Sequence, residues 1–150
     1  MMKAFITEKI KSELEEACRR RLPYETCGVL FGRSSGSGTA VDGFSVVRNV
    51  SIDPRRSFSF DPADWVRAGY EAQKNQREIV GFFHSHPNGT VHPSEADVSG
   101  MPPGGTYWIV GCGTENECDI AVYGPHPDTG WERLHLSVSD GLNTHKDRLT

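Results

Sequence analysis

The sequence predicts an α/β protein, a single-domain sandwich with a mixed central β-sheet flanked by helices. Three observations carry this. The chain has 150 residues, which suits one compact unit with a single core. Several short runs rich in apolar and β-branched residues are bounded by Gly, Pro, Asn or Asp and read as strands. Two longer stretches with apolar residues at helical spacing lie among them, and strands interleaved with helices favour layered α/β packing.

The first helix is written by Ile6, Ile10, Leu14, Ala17 and Cys18, with Thr7 as its N-cap and Glu8 in its first turn. Pro23 ends it. Residues 26–32 read as a buried strand, residues 33–38 as a Ser/Gly hairpin loop, and residues 40–49 as a second strand. Residues 57–60 suggest a short third strand. Asp61-Pro62 reads as an N-cap followed by an N1 proline, opening a helix that carries Trp65, Val66, Ala68, Gly69, Tyr70 and Ala72. A strand over 78–85 follows, then an irregular loop through Pro93 and a short helix from Ser94. Gly100 to Gly105 is a Pro/Gly-rich connection. Strands are expected over 106–112, 120–123 and 131–137. The domain is expected to span 1–139, with 140–150 as a polar C-terminal tail prone to disorder.

Composition narrows the function classes. Apolar residues make up 36% and charged residues 24%, with a mean hydropathy of -0.50, the balance of a soluble globular protein. The longest apolar runs fall far short of the ~18–20 residues that span a bilayer. No apolar leader with a cleavage site opens the chain, so a cytoplasmic location is expected. A net charge of -4 argues against a nucleic-acid binder, and the short clusters Arg19-Arg20-Arg21 and Arg55-Arg56 read as a helix end and a loop. Cys18, Cys27, Cys112 and Cys118 read as structural thiols, with no disulfide framework needed in a chain that can build its own core.

The chemistry concentrates in His84-Ser85-His86-Pro87, Ser94 and Asp97. Side chains alternate along a strand, so His84 and His86 share a face and Ser85 points away. Pro87 stops the strand. If Ser94 caps a helix, Asp97 lies in its first turn and can swing back towards the histidines. Two imidazoles and one carboxylate with an open fourth position form the pattern of catalytic rather than structural zinc. Each part alone has a plainer reading: surface histidines, a helix cap, loop prolines. Their joint order is far less frequent by accident.

This arrangement resembles the JAMM motif of the Mov34/MPN/PAD-1 metallopeptidases. The run from Pro23 through Glu25 to Gly32 also resembles that family's approach to its first strand, and the similarity extends over roughly residues 6–123. The resemblance implies an MPN/JAB, cytidine-deaminase-like architecture of the compact stand-alone prokaryotic branch. It implies one Zn2+ per chain on His84, His86 and Asp97, Glu25 as general acid/base, and Ser94 as a hydrogen-bond donor that helps stabilise the oxyanion. Sequence chemistry alone would leave Glu25 a solvated carboxylate. The implied reaction is hydrolysis of an amide after the C-terminal Gly-Gly tail of a small ubiquitin-like or sulfur-carrier β-grasp protein. The loops from Asn88 to Pro93 and from Gly100 to Gly105 are candidate rims of the tail's groove, and His92 a histidine near substrate. A non-catalytic scaffold of the same fold is the alternative, against which the complete ligand set speaks. Zinc deamination would expect Pro-Cys-x-x-Cys, which is missing.

Overall fold

The computed structural model describes residues 2–94, 97, 105–113 and 118–140. Along the chain run β1 (Lys3–Thr7), α1 (Glu8–Arg19), β2 (Cys27–Ser35), β3 (Gly38–Val47), α2 (Pro62–Lys74), β4 (Glu78–His86), β5 (Thr106–Gly111), β6 (Asp119–His126) and β7 (Gly130–Ser139). The sheet is mixed, in the order β1-β3-β2-β4-β5-β6-β7, and it closes on itself as β1 pairs with β7 in parallel. The expected α/β class, mixed sheet and two helices are therefore present, but the sheet is a closed barrel rather than the open layer of a sandwich. Strand β1, which the sequence reading missed, makes the closure. Its short pattern buries Ala4 and Ile6 and leaves Phe5 exposed.

Each helix covers a different face. Helix α1 starts where Thr7 Oγ1 accepts the Ile10 N–H at 3.2 Å. Its Leu14 and Cys18 are buried with Leu30, Val80, Phe83, Trp108, Val110 and Val122 in the larger cluster. Helix α2 opens at Asp61 with Pro62 at its first position, although Asp61 makes no side-chain cap bond. Its Ala68 and Ala72 pack on Val29, Phe31 and Val47. Alternation along β2 therefore sends Leu30 to one side and Val29 and Phe31 to the other.

Other boundaries move for local reasons. Most of the expected 33–38 loop is strand, with β2 running to Ser35 and β3 starting at Gly38, so the hairpin turns over only two residues. Residues 57–60 contribute only an isolated bridge, Asn49 to Phe60. The expected Gly100 to Gly105 connection lies outside the described residues except for Gly105, and residues 141–150 of the expected tail lie outside them too. Around the expected helix from Ser94, Asp97 is helical and its neighbours 95, 96 and 98 lie outside.

One cysteine expectation is corrected: Cys112 and Cys118 form a disulfide, with Cα atoms 4.7 Å apart. They flank the antiparallel pair Gly111 and Asp119, so the β5–β6 ladder sets them face to face. Cys18 and Cys27 remain free and buried, and burial pushes both thiols up to about 12, which keeps them protonated and inert.

Candidate metal and catalytic site

Strand β4 lies between β2 and β5, and its C-terminal end carries the two histidines. His84 and His86 project to one face. Ser85 points away, and its Oγ accepts the Thr26 N–H at 2.8 Å while its own N–H donates to the Thr26 carbonyl at 2.8 Å. That double link fixes the residue after Glu25 against the strand between the histidines. Glu25 is pinned further, since its N–H donates to the Pro54 carbonyl at 2.7 Å and its carbonyl accepts from Asn49 Nδ2 at 3.0 Å. Hydrogen bonds across a long sequence separation thus bring Glu25 beside β4.

Asp97 arrives through a reciprocal cap. Its N–H donates to Ser94 Oγ at 3.0 Å, and its Oδ2 accepts the Ser94 N–H at 2.8 Å. The same Oδ2 lies 3.1 Å from His84 Nε2 and 2.9 Å from His86 Nε2, and the two Nε2 atoms are 3.1 Å apart. All three side chains are buried. Four ligands around a cation with bonds near 2.0 Å stand about 3.3 Å from one another, so the triangle is slightly tighter than one face of that tetrahedron.

The donor chemistry fits a cation at the centre. His86 Nδ1 lies 3.1 Å from the Thr90 carbonyl, and donating there leaves the Nε2 lone pair facing Asp97. In that tautomer a neutral His86 has no proton between Nε2 and the carboxylate. A divalent cation removes the lone-pair conflict, and a set of two imidazoles and one carboxylate is one that zinc accepts. The His84 ring is supported from the side by Phe58, stacked at 4.4 Å between centroids.

Titration follows the packing. Burial holds His84 below the usual histidine range, against the pull of Asp97. For His86, burial is outweighed by the Asp97 and Glu25 carboxylates, and its pKa rises. Burial works against Asp97 as well, but its hydrogen bonds with His84 and His86 prevail and hold it far below the carboxylate range. Glu25 is pushed up to about 7, chiefly by burial, with Asp97 and Asp53 adding to the effect of burial and His86 opposing it. Its Oε1 is buried without a hydrogen-bond partner among the described residues. A carboxylate poised near neutrality, with an oxygen uncommitted, is equipped to move a proton.

Glu25, His86, Ser94 and His92 line one cavity of about 510 Å³, with Asn88 and Thr90 on its wall. Residues 7–123 match the family described as prokaryotic homologs of the JAB domain. The chain belongs to this prokaryotic JAB family. It is similar to a desampylase of Haloferax volcanii, 32% identical over 133 residues covering 88% of this chain and 89% of that one. A desampylase of Pyrococcus furiosus is 34% identical over 86 residues, 57% of this chain and 58% of its own. Among solved structures, a protein from Desulfitobacterium hafniense superposes with a TM-score of 0.80 at 27% identity, over 95% of this chain and 97% of that one. A probable metalloprotease of Haloferax volcanii is 32% identical over 123 residues, 81% of this chain and 66% of its own.

Within this JAB domain the five residues singled out in the sequence come together at one end of β4, and the segment after His86 contributes Pro87, Asn88, Thr90 and His92 to the cavity wall. Sequence reasoning missed the supports. Thr90 orients His86, Asn49 and Pro54 hold Glu25, and Phe58 backs His84. Only Asn49, a polar residue closing a strand-like run, left any trace in the sequence. Thr90 lies only four residues past His86, in the irregular loop, whereas Pro54 and Phe58 reach the site from segments far apart in the chain.

Proposed function

We propose that this chain is a zinc-dependent peptidase or isopeptidase that hydrolyses the amide after the Gly-Gly tail of a ubiquitin-like or sulfur-carrier β-grasp protein. The observation that carries it is the buried triangle of His84 Nε2, His86 Nε2 and Asp97 Oδ2, whose His86 lines one cavity together with Glu25 and Ser94. The similarity to desampylases supports the substrate class, because that name denotes removal of a ubiquitin-like modifier. We assign the domain to residues 1–139, one zinc to each chain, and metal binding to His84, His86 and Asp97.

Zinc, when bound, supplies Lewis acidity that polarises a carbonyl and makes water acidic. The chain's own residues supply the rest. Thr90 keeps the His86 ring turned with its Nε2 lone pair inward, and the Ser94 cap keeps Asp97 Oδ2 aimed at both histidines. Glu25 takes the proton of the attacking water and returns it to the leaving amine, a shuttle suited to a carboxyl near pH 7. Ser94 Oγ accepts from the Asp97 N–H, so its own hydroxyl proton stays available for an oxyanion in the cavity. A glycine tail suits this narrow approach because it brings no side chain past the buried ligands.

The test pairs a chelator with one substitution. Glu25→Gln is expected to retain stoichiometric metal by mass spectrometry and to lose cleavage of a Gly-Gly-tailed β-grasp fusion. Wild-type turnover in that variant, or cleavage insensitive to the chelator, would refute the assignment.

A further inference from the structure

The metal triangle takes two ligands from one strand and the third from a loop, so its shape depends on what holds that loop. His84 and His86 are fixed by the β4 ladder, whereas Asp97 is delivered by residues 87–94 and the Ser94 cap. The outgoing half of the loop closes on itself. The Gly89 N–H donates to the His86 carbonyl at 3.0 Å, and the Thr90 N–H donates to Asn88 Oδ1 at 3.1 Å. The returning half, residues 91–93, has no such turn. Its one hydrogen-bond partner among the described residues is Tyr123 of β6, whose Oη donates to the Val91 carbonyl at 2.8 Å.

Strand register explains why the two meet. His84 lies beside Ile109, Ile109 beside Ala121, and Tyr107 beside Tyr123. Alternation therefore puts Ile109, Ala121 and Tyr123 on the face of the sheet that carries the two histidines. There they form a small apolar cluster, against which Val91 and Trp131 pack. A buried phenol commonly takes whatever acceptor is near. The acceptor here is a loop carbonyl with no other partner among the described residues, two positions before Pro93, whose fixed backbone stiffens the approach to Ser94. We propose that Tyr123 is a positioning residue of the metal site: by anchoring the returning half of the loop, its hydroxyl sets where the Ser94 cap holds Asp97 Oδ2 against His84 and His86. The contacts run from Tyr123 Oη to the Val91 carbonyl, along the chain through Pro93 to Ser94, and from the Ser94 N–H and Oγ to Asp97. Asp97 Oδ2 meets the Ser94 N–H and both Nε2 atoms at once, so a displaced cap displaces the ligand oxygen itself. This inference rests on the metal-site reading above.

The test removes one oxygen. Tyr123→Phe keeps the ring in its cluster and deletes only the donor. Metal-free protein is titrated with zinc in competition with a chromogenic chelator. Zinc affinity is expected to fall roughly threefold to tenfold, the size of one hydrogen bond between uncharged groups. The visible spectrum of the cobalt(II)-loaded protein should change as the third ligand shifts. Ile6→Val, in the cluster beneath α1, is the control: it should lower the thermal midpoint and leave zinc affinity unchanged. In an Asp97→Ala background, where the delivered ligand is gone, Tyr123→Phe should no longer alter zinc affinity. Wild-type affinity and spectrum in Tyr123→Phe would overturn the positioning role and leave the metal site intact. So would an equal loss of affinity in Ile6→Val, or a loss that persists undiminished without Asp97. Should Tyr123→Phe fail to fold, Val91→Ala carries the same comparison, and wild-type affinity there would overturn the anchor. Wild-type protein that takes up no zinc would remove the metal-site reading and the positioning role with it.

Discussion

Replacing Gly111 with alanine tests whether the loop behind His86 tunes the metal site. Gly111 ends β5 directly beside His86 of β4. A Cβ at this position would sit 2.8 Å from both Gly89 C and Thr90 O, and closer still to Gly89 O, whereas ordinary contact begins at 3.4 Å. The loop must therefore retreat by about 0.6 Å or more, the shortfall between those two distances, because backbone cannot rotate away as a side chain can. Carried along the bond from His86 Nδ1 to the Thr90 carbonyl, now 3.1 Å, that shift gives roughly 3.7 Å, beyond hydrogen-bonding range. Losing the partner that orients a metal-binding histidine typically costs about tenfold to a hundredfold in metal affinity. Competition titration of the metal-free protein with zinc against a chromogenic chelator reads this directly. Zinc affinity equal to wild type in a folded Gly111→Ala protein would refute the claim that the Asn88–Thr90 loop holds His86 in register.

A complementary glycine substitution and a pH series test the remaining physical claims. Gly69 lies inside α2 with nothing within 4 Å of where a Cβ would stand, so Gly69→Ala should stabilise the fold by about 0.5–1 kcal/mol, raising the thermal midpoint by a few degrees; an unchanged or lower midpoint would refute it. Folding raises the Glu25 pKa from 4.5 to about 7, so the fold favours the protonated carboxyl. That stabilisation is complete below about pH 4.5 and is lost as pH rises through about 7. Metal-free wild type should accordingly lose thermal stability relative to Glu25→Gln as pH rises from about 5 to about 8, measured by scanning calorimetry. Parallel curves for the two proteins across that range would remove the case for a buried, perturbed Glu25.

The fold was legible where a segment's own pattern decides its conformation. Both helices announced themselves through apolar spacing and caps, and Thr7 caps α1 by the bond its chemistry allows. Six of the seven strands among the described residues were found, with ends shifted by up to a few residues. The seventh, β1, was hidden because its five residues bury only Ala4 and Ile6. Its stability comes from β3 and β7, which lie on either side of it in space and far away in sequence. Barrel closure was hidden for the same reason, since nothing within Lys3–Thr7 or Gly130–Ser139 specifies that the two should pair. The disulfide belongs to this class as well, because the facing of Cys112 and Cys118 depends on the β5–β6 register rather than on their spacing.

The same division runs through the site. His84 and His86 could be placed on one face by strand alternation, and Asp97 could be brought back by the Ser94 cap, because both devices act over a few residues. Glu25 had no such device. It precedes β2 in an irregular segment, and nothing in residues 23–27 says that a strand near residue 85 will lie against it. The structure supplies the missing link in the paired bonds between Thr26 and Ser85, the residue that alternation turns away from the ligand face. Ser85 therefore has a role that follows from its being the wrong-facing residue of the motif. It fastens the acid/base candidate to the strand, while its two neighbours turn to the opposite face nitrogens that could hold a metal ion. Spacing within a motif can specify a metal site, whereas placing a proton shuttle beside that site takes a second segment, and the bonds that dock it belong to the side of the strand opposite the chemistry.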